Sequence, residues 1–279
     1  GLVRNLFRAG LLSLTRGHLA RSPVSGPTAR YYRKLMWASA VFALLTDVAL
    51  LAFGGSLKRK EKLTGRFADA LSWLYLGTAT LRRYEAEGRQ TADLPLVHWS
   101  LQYAFAQIQI AFEGIFSNLE IPILGFLART IILPLARLNP LGTLPSDHLG
   151  QQVAQSLQRF GPDRDRLTAG IYVPTAKDQA LGRLEHAFAL LHQTEPILQK
   201  LKAAMRSGQL PTDKPQAVLD LAYEMGILNE AETTLMCEAE FARNDAIQVD
   251  AFPLSDRHRE DWIQPAAQTV LTPPTAISL

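Results

Sequence analysis

Residues 93–117 read DLPLVHWSLQYAFAQIQIAFEGIFS, and the spacing of their apolar side chains decides the fold. Leu101, Phe105, Ile108, Phe112 and Ile115 recur at steps of four, three, four and three. That is the period of a helix with one buried face. Asp93-Leu94-Pro95 marks its start, because a proline in the first turn gives up an N–H that has no helical partner there. Upstream, Thr28 opens a long helix to Phe53, stopped by Gly54-Gly55. A second runs from Leu57 to Glu87, with Phe67, Leu71, Leu74 and Gly77 on one stripe and Gly88 at its end. Residues 1–19 form a shorter helix with Leu2, Leu6, Leu11 and Leu14 on its apolar side, broken by RSPVSGP at 21–27. Downstream, 121–137 is strongly apolar and interrupted by Pro134, and 138–147 is a turn region. Ser146 or Asp147 caps a helix to Phe160, and 161–175 is irregular. Asp178 starts a helix carrying Leu181, Leu184, Phe188 and Leu191, with a boundary or kink near Thr194-Glu195-Pro196. Two more fit 214–226 and 230–246, the latter opened by an Asn229/Glu232 capping box. Nothing alternates with period two for long, so the expected fold is all-α, a bundle of about seven to nine helices without a substantial sheet.

Composition agrees and excludes several classes. The chain has 279 residues with 47% hydrophobic and 20% charged side chains, and its mean hydropathy is +0.01. Those values exclude a disordered tail and a polytopic membrane protein. One cysteine, Cys237, excludes a disulfide framework and any multi-cysteine metal site, and suggests a reducing, cytoplasmic compartment. The chain begins at Gly1 instead of Met, which suggests a processed product or a piece of something longer. Charge is uneven: residues 1–140 hold 17 Lys/Arg against 8 Asp/Glu, and 141–279 hold 12 against 18. A basic half attracts phosphates, although an ordinary solvated face is the plainer reading.

Motifs for chemistry are missing. There is no GxGxxG, no phosphate loop, no HExxH and no GxSxG elbow. His186 and His192 stand six apart and so on different helix faces, which makes them surface or interface histidines. Cys237 lies among Leu235, Met236 and Ala239 as a small buried hydrophobe. Leu35–Phe53 contains 19 residues with Asp47 as the one charge, long enough to span a membrane. A charge near its centre and basic residues at both ends favour a central bundle helix instead. Residues 121–137 suit either interfacial membrane contact or core and oligomer contact. Glu113, beside Gly114, resembles a catalytic base but sits inside a helical stripe, as a solvated or bundle-paired carboxylate does.

Several separated segments carry a resemblance. ARYYRKL, FGGSLKRKEKLTGRFADALSWLYLGTATLRRYEAEGR and DLPLVHWSLQYA are followed by PSDHLGQQVAQSL, GIYVP and LNEAETTLMCEAEFARNDAIQVDAF. Over residues 28–252 this order resembles the C-terminal domain of the large bacterial fatty-acid acyl-coenzyme A dehydrogenases. The resemblance implies a helical region over 1–253 and a loose tail over 254–279. Within the helical region, 1–88 would continue the catalytic-bundle side and 89–253 would be the family-specific extension. It also implies an FAD enzyme of fatty-acid β-oxidation that turns fatty acyl-CoA into trans-2-enoyl-CoA and passes electrons to an acceptor protein. The family's base lies in a Glu-Gly-Ala/Thr loop upstream of the matched region, as do its flavin contacts. No catalytic residue, flavin ligand or metal ligand is therefore assigned in 1–279. Related very-long-chain enzymes imply a homo-oligomer that docks peripherally on the inner membrane, here through 121–137 and the basic helix ends at 58–66. The rival reading is a free-standing, membrane-peripheral helical adaptor. Nucleic acid is not an expected partner, since the aromatics fall at helical core spacing.

Overall fold

The computed structural model describes residues 1–177, 179–212 and 215–249. Every regular element among them is helical and none is a strand, as the all-α expectation requires. In chain order these are α1 (Leu2–Leu14), α2 (Ala29–Phe53), α3 (Glu61–Ala86), α4 (Leu94–Ser117), α5 (Pro122–Leu127), α6 (Leu133–Leu138), α7 (Asp147–Leu157), α8 (Pro162–Thr168), α9 (Ala180–Arg206), α10 (Pro215–Glu224) and α11 (Glu230–Ala246). Short 3-10 turns, Gly54–Arg59 and Thr91–Asp93, lead into α3 and α4, and a π-helical turn at Ala128–Ile132 joins α5 to α6.

The chain divides into two compact units, Gly1–Ala169 and Gly170–Leu279. The uneven charge follows this division: the first unit carries 20 Lys/Arg against 11 Asp/Glu, the second 9 against 15. Gly88, the expected junction between bundle side and extension, lies inside the first unit, where α3 and α4 form the most extensive helix pair.

α4 is the centre of the first unit. Its whole stripe, Leu101, Phe105, Ile108, Phe112 and Ile115, is buried. Each such side chain contributes roughly 1.5–3 kcal/mol through burial. The start of α4 falls where Pro95 placed it, but Asp93 makes no capping bond to the backbone. Instead its buried carboxylate accepts from Arg166 Nη2 at 2.6 Å, and Arg166 also bonds Glu87. α2 has the length and hydropathy to cross a membrane, yet Tyr31, Leu35, Trp37, Ala38 and Leu45 pack into the core of this unit. Its Asp47 accepts from Asn5 Nδ2 of α1 at 2.8 Å, which satisfies the charge noted mid-helix.

In the second unit α9 packs on α11, and Ile197, Leu201, Leu219, Ala222 and Leu228 form a separate core. The expected capping box opens α11: Asn229 Oδ1 accepts from Glu232 N at 2.8 Å, and Asn229 N donates back to Glu232 at 3.1 Å.

Five expectations need correction. The stripe of α3 is Leu63, Ala70, Leu74, Gly77, Leu81 and Tyr84, while Leu71 is exposed. The apolar side assigned to residues 1–19 is not buried; Leu6 and Leu14 stand in solvent, and Ala9 and Leu12 face the core. Residues 162–168 are not irregular but form α8, because Pro162 at the first position and Asp163 and Asp165 in the first turn favour a helix start. No boundary falls near Pro196: α9 continues through it to Arg206, since the core contacts of Ile197 and Leu201 offset the one backbone bond that proline lacks. Leu184, placed on its apolar face, is exposed, and the buried positions are Gly182, Ala187 and Thr194. The helix start at Asp178 and the tail over 254–279 lie outside the described residues.

Candidate functional site

The residues that chemistry would need are structural here. Glu113 is paired at its carboxylate: Gln109 Nε2 donates to one oxygen at 2.9 Å and Arg137 Nε to the other at 2.9 Å. Burial pushes its pKa up, but those two bonds and the Arg137 charge outweigh burial and hold it below the ordinary value. It is therefore the bundle-paired glutamate the sequence suggested, and a poor proton acceptor near neutral pH. Gly114 has its own reason. A Cβ there would lie 2.7 Å from Arg66 Nε, so the glycine lets the Arg66 side chain cross α4. In the second unit His186 is half-buried, His192 is exposed and Cys237 packs partly buried against the core. No group of three or more His, Cys, Asp or Glu suited to a metal ion occurs among the described residues.

What stands out instead is the turn after α6. Asn139 Nδ2 donates to Ser13 O at 2.9 Å, Leu141 N donates to Gln109 Oε1 at 3.0 Å, and Lys34 Nζ donates to Leu141 O at 2.7 Å. These bonds tie the turn to α1, α2 and α4 at once. On one side of it is an apolar cavity of about 460 Å³ with Ala38, Val41, Phe112, Phe116, Ile132 and Leu135 in its wall. Beside it is a smaller cleft of about 270 Å³ lined by Arg16, His18, Arg30, Arg33 and Lys34. Arg16, Trp37 and Asn139 belong to both. Sequence reasoning missed this pair of hollows, since its walls come from four separate segments and no local motif marks it.

The segment 122–138 is helical but not buried. Gly125, Ala128 and Leu133 face the core, whereas Ile123, Phe126, Ile131, Leu135 and Leu138 are exposed, Ile123 by 78%. Gly125 is required by closeness: a Cβ there would fall 2.0 Å from Leu119 O. Of the basic ends at 58–66, Lys60 is already engaged, donating to Glu120 at 2.6 Å with its Nζ 4.8 Å from the Phe53 ring centre. Arg59, Lys62 and Arg66 line the neighbouring cleft with it.

The described residues form an all-α domain built around one long buried helix. The family model of the bacterial-type acyl-CoA dehydrogenase C-terminal domain matches residues 2–252, so the chain belongs to that family. No solved structure matches the chain.

Proposed function

We infer that this chain is the assembly and docking portion of an FAD-dependent acyl-CoA dehydrogenase that oxidises fatty acyl-CoA to trans-2-enoyl-CoA in β-oxidation. Family membership supports the dehydrogenase assignment. The apolar cavity offers a flavin little to hold: Trp37 Nε1 is spent on Ser13 Oγ at 2.9 Å, and both ends of the Gln109 amide are spent within the protein. No polar atom of either side chain is left over for the edge of an isoalloxazine ring. FAD and the base that removes the α-proton accordingly belong to residues outside this chain, together with the contacts to the electron acceptor.

The exposed ridge of 122–138 carries the docking part of the reading. Ile123, Phe126, Ile131, Leu135 and Leu138 form an apolar strip beside Arg129 and Arg137, the composition that suits the boundary of an anionic bilayer. Peripheral attachment at the inner membrane follows, and the same strip serves oligomer contact if it meets protein. Co-sedimentation with anionic and neutral vesicles at low salt tests it. Binding should favour the anionic vesicles and be lost on Ile123→Asp with Phe126→Asp. Equal partitioning to both compositions sinks the docking role. Flavin content of the native full-length product tests the dehydrogenase assignment separately.

A further inference from the structure

We propose that the first unit holds a site for a single-chain anionic amphiphile, with the alkyl chain in the apolar cavity and a compact carboxylate or phosphate head in the basic cleft. The two hollows share Arg16, Trp37 and Asn139 in their walls, which sets the basic cleft beside the apolar cavity. The cavity, at about 460 Å³, lies within the size range of ligand pockets, roughly 300–1,000 Å³. Its polar wall atoms on Trp37, Asn139 and Gln109 are engaged within the protein, so it suits hydrocarbon.

The cleft has the opposite character. Arg16, His18, Arg30, Arg33 and Lys34 converge there, and no carboxylate lines it. Several carboxylates of this unit are engaged elsewhere: Glu113 by Arg137, Glu120 by Lys60, Glu87 and Asp93 by Arg166, and Asp47 by Asn5. Like charges gathered in one hollow repel each other, and a bound anion relieves that repulsion. Burial, and then the neighbouring Arg30 charge, lower the Lys34 pKa, as expected for a cation short of an anion.

Arg16, in the wall of both hollows, is fixed by the end of α1. It sits at φ +51°, in the left-handed region that L side chains seldom adopt. The next residue holds it there: Gly17 N donates to Leu12 O at 2.8 Å, and a Cβ on Gly17 would lie 3.1 Å from Arg33 O. With Arg16 N donating to Ser13 O, these are the bonds that close a helix through a left-handed residue, and they fix where the Arg16 side chain leaves the backbone.

The test uses the purified chain and monomeric ligands below their micelle concentration, with no bilayer present, so that it stands apart from vesicle docking. Decanoate, dodecanoate and tetradecanoate are titrated by calorimetry and tryptophan fluorescence, beside dodecyl phosphate and the neutral control dodecanol. Each added pair of methylenes should tighten binding about tenfold until the cavity is full. Dodecanoate should exceed dodecanol by about tenfold or more. Arg16→Gln with Arg33→Gln should remove that preference and leave dodecanol unchanged, and Trp37→Phe should remove the fluorescence response. Dodecyl phosphate against dodecanoate assigns the head group, either order being consistent with the site. Absence of binding at every chain length, equal affinity for dodecanol and dodecanoate, or an unchanged preference in the arginine variant overturns the proposal. Both arginines are at least partly solvent-accessible, so their replacement leaves the core intact.

Discussion

Gly142→Ala is the sharpest probe of how the turn after α6 is held. A Cβ at that position would lie 2.4 Å from Phe105 Cβ, 2.9 Å from the Phe105 carbonyl carbon and 3.1 Å from Ala106 N. Two of those atoms are helix backbone, which cannot yield without bending α4, so the turn must lift. Overpacking of this kind costs about 1–3 kcal/mol. Lifting also weakens the Leu141 bonds to Gln109 and Lys34, at about 0.5–1.5 kcal/mol each. The expected loss is about 2–4 kcal/mol, taken below the simple sum because the strain and the lost bonds are alternatives in part. Gly65→Ala is the matched control. Gly65 is exposed inside α3 with nothing within 4 Å of its added Cβ, so alanine there should stabilise by about 0.5–1 kcal/mol. Urea unfolding followed by tryptophan fluorescence reports this unit, since Trp37, Trp73 and Trp99 all lie in it. With a slope of about 1–3 kcal/mol/M, Gly142→Ala should unfold about 1–2 M earlier and Gly65→Ala slightly later. A wild-type midpoint for Gly142→Ala would refute the close-packing argument.

Three further outcomes follow from single contacts. His98 is held below its ordinary pKa of 6.5 by burial and then by the Arg30 charge, while its Nδ1 lies 2.9 Å from Tyr31 Oη. The unfolded chain therefore takes the proton first, stability falls as pH drops through 6.5, and His98→Gln should flatten that part of the stability–pH curve. Arg166→Met strips the buried Asp93 carboxylate of its cation, so the melting temperature of the first unit should fall; Arg166→Met with Asp93→Asn should recover part of the loss. Asn229→Ala removes the capping bond of α11 and should cost about 1 kcal/mol, read by helical circular dichroism during thermal unfolding.

The parts of the fold that local chemistry governs were legible. The α4 stripe, the Asn229/Glu232 cap and the bounds of α11 all follow from neighbours within one or two helical turns. Stripe assignments failed where two apolar faces compete. In α3, Phe67 and Leu71 look as apolar as Leu63 and Ala70, and only the approach of α4 at Gly77 decides which face is buried. The same is true of α1, where the packing of α2 decides that Ala9 and Leu12 are buried and Leu6 is not. The basic cleft was invisible for a different reason. Its cations are spread over residues 16–34, and only the packing of α1 and the turn after α6 on α2 brings them into one hollow. Family resemblance identified the domain but could not supply that arrangement.

The π turn at Ala128–Ile132 shows how a sequence irregularity becomes an exposed ridge. The buried positions Ala128 and Leu133 are five apart, a step that an α-helix cannot place on one face but a π turn can. Leu133 N donates to Ala128 O across it. Pro134 follows at once; in an α-helix its ring would press on the carbonyl four residues earlier, and the wider turn relieves this. Deleting the exposed Ile131 tests the argument, since Ala128 and Leu133 then stand four apart, as an α-helix requires. The deletion alone should still cost about 3 kcal/mol, because Pro134 would enter a regular α-helix. Combined with Pro134→Ala it should recover most of that loss. Deleting Ile110, also exposed but inside α4, should unfold the unit, because it turns Phe112, Ile115 and Phe116 by about 100° away from Leu101 and Phe105. If the Ile131 deletion were as damaging with alanine at 134 as with proline, the π turn would owe nothing to either the five-residue step or the proline, and the ridge would need another cause.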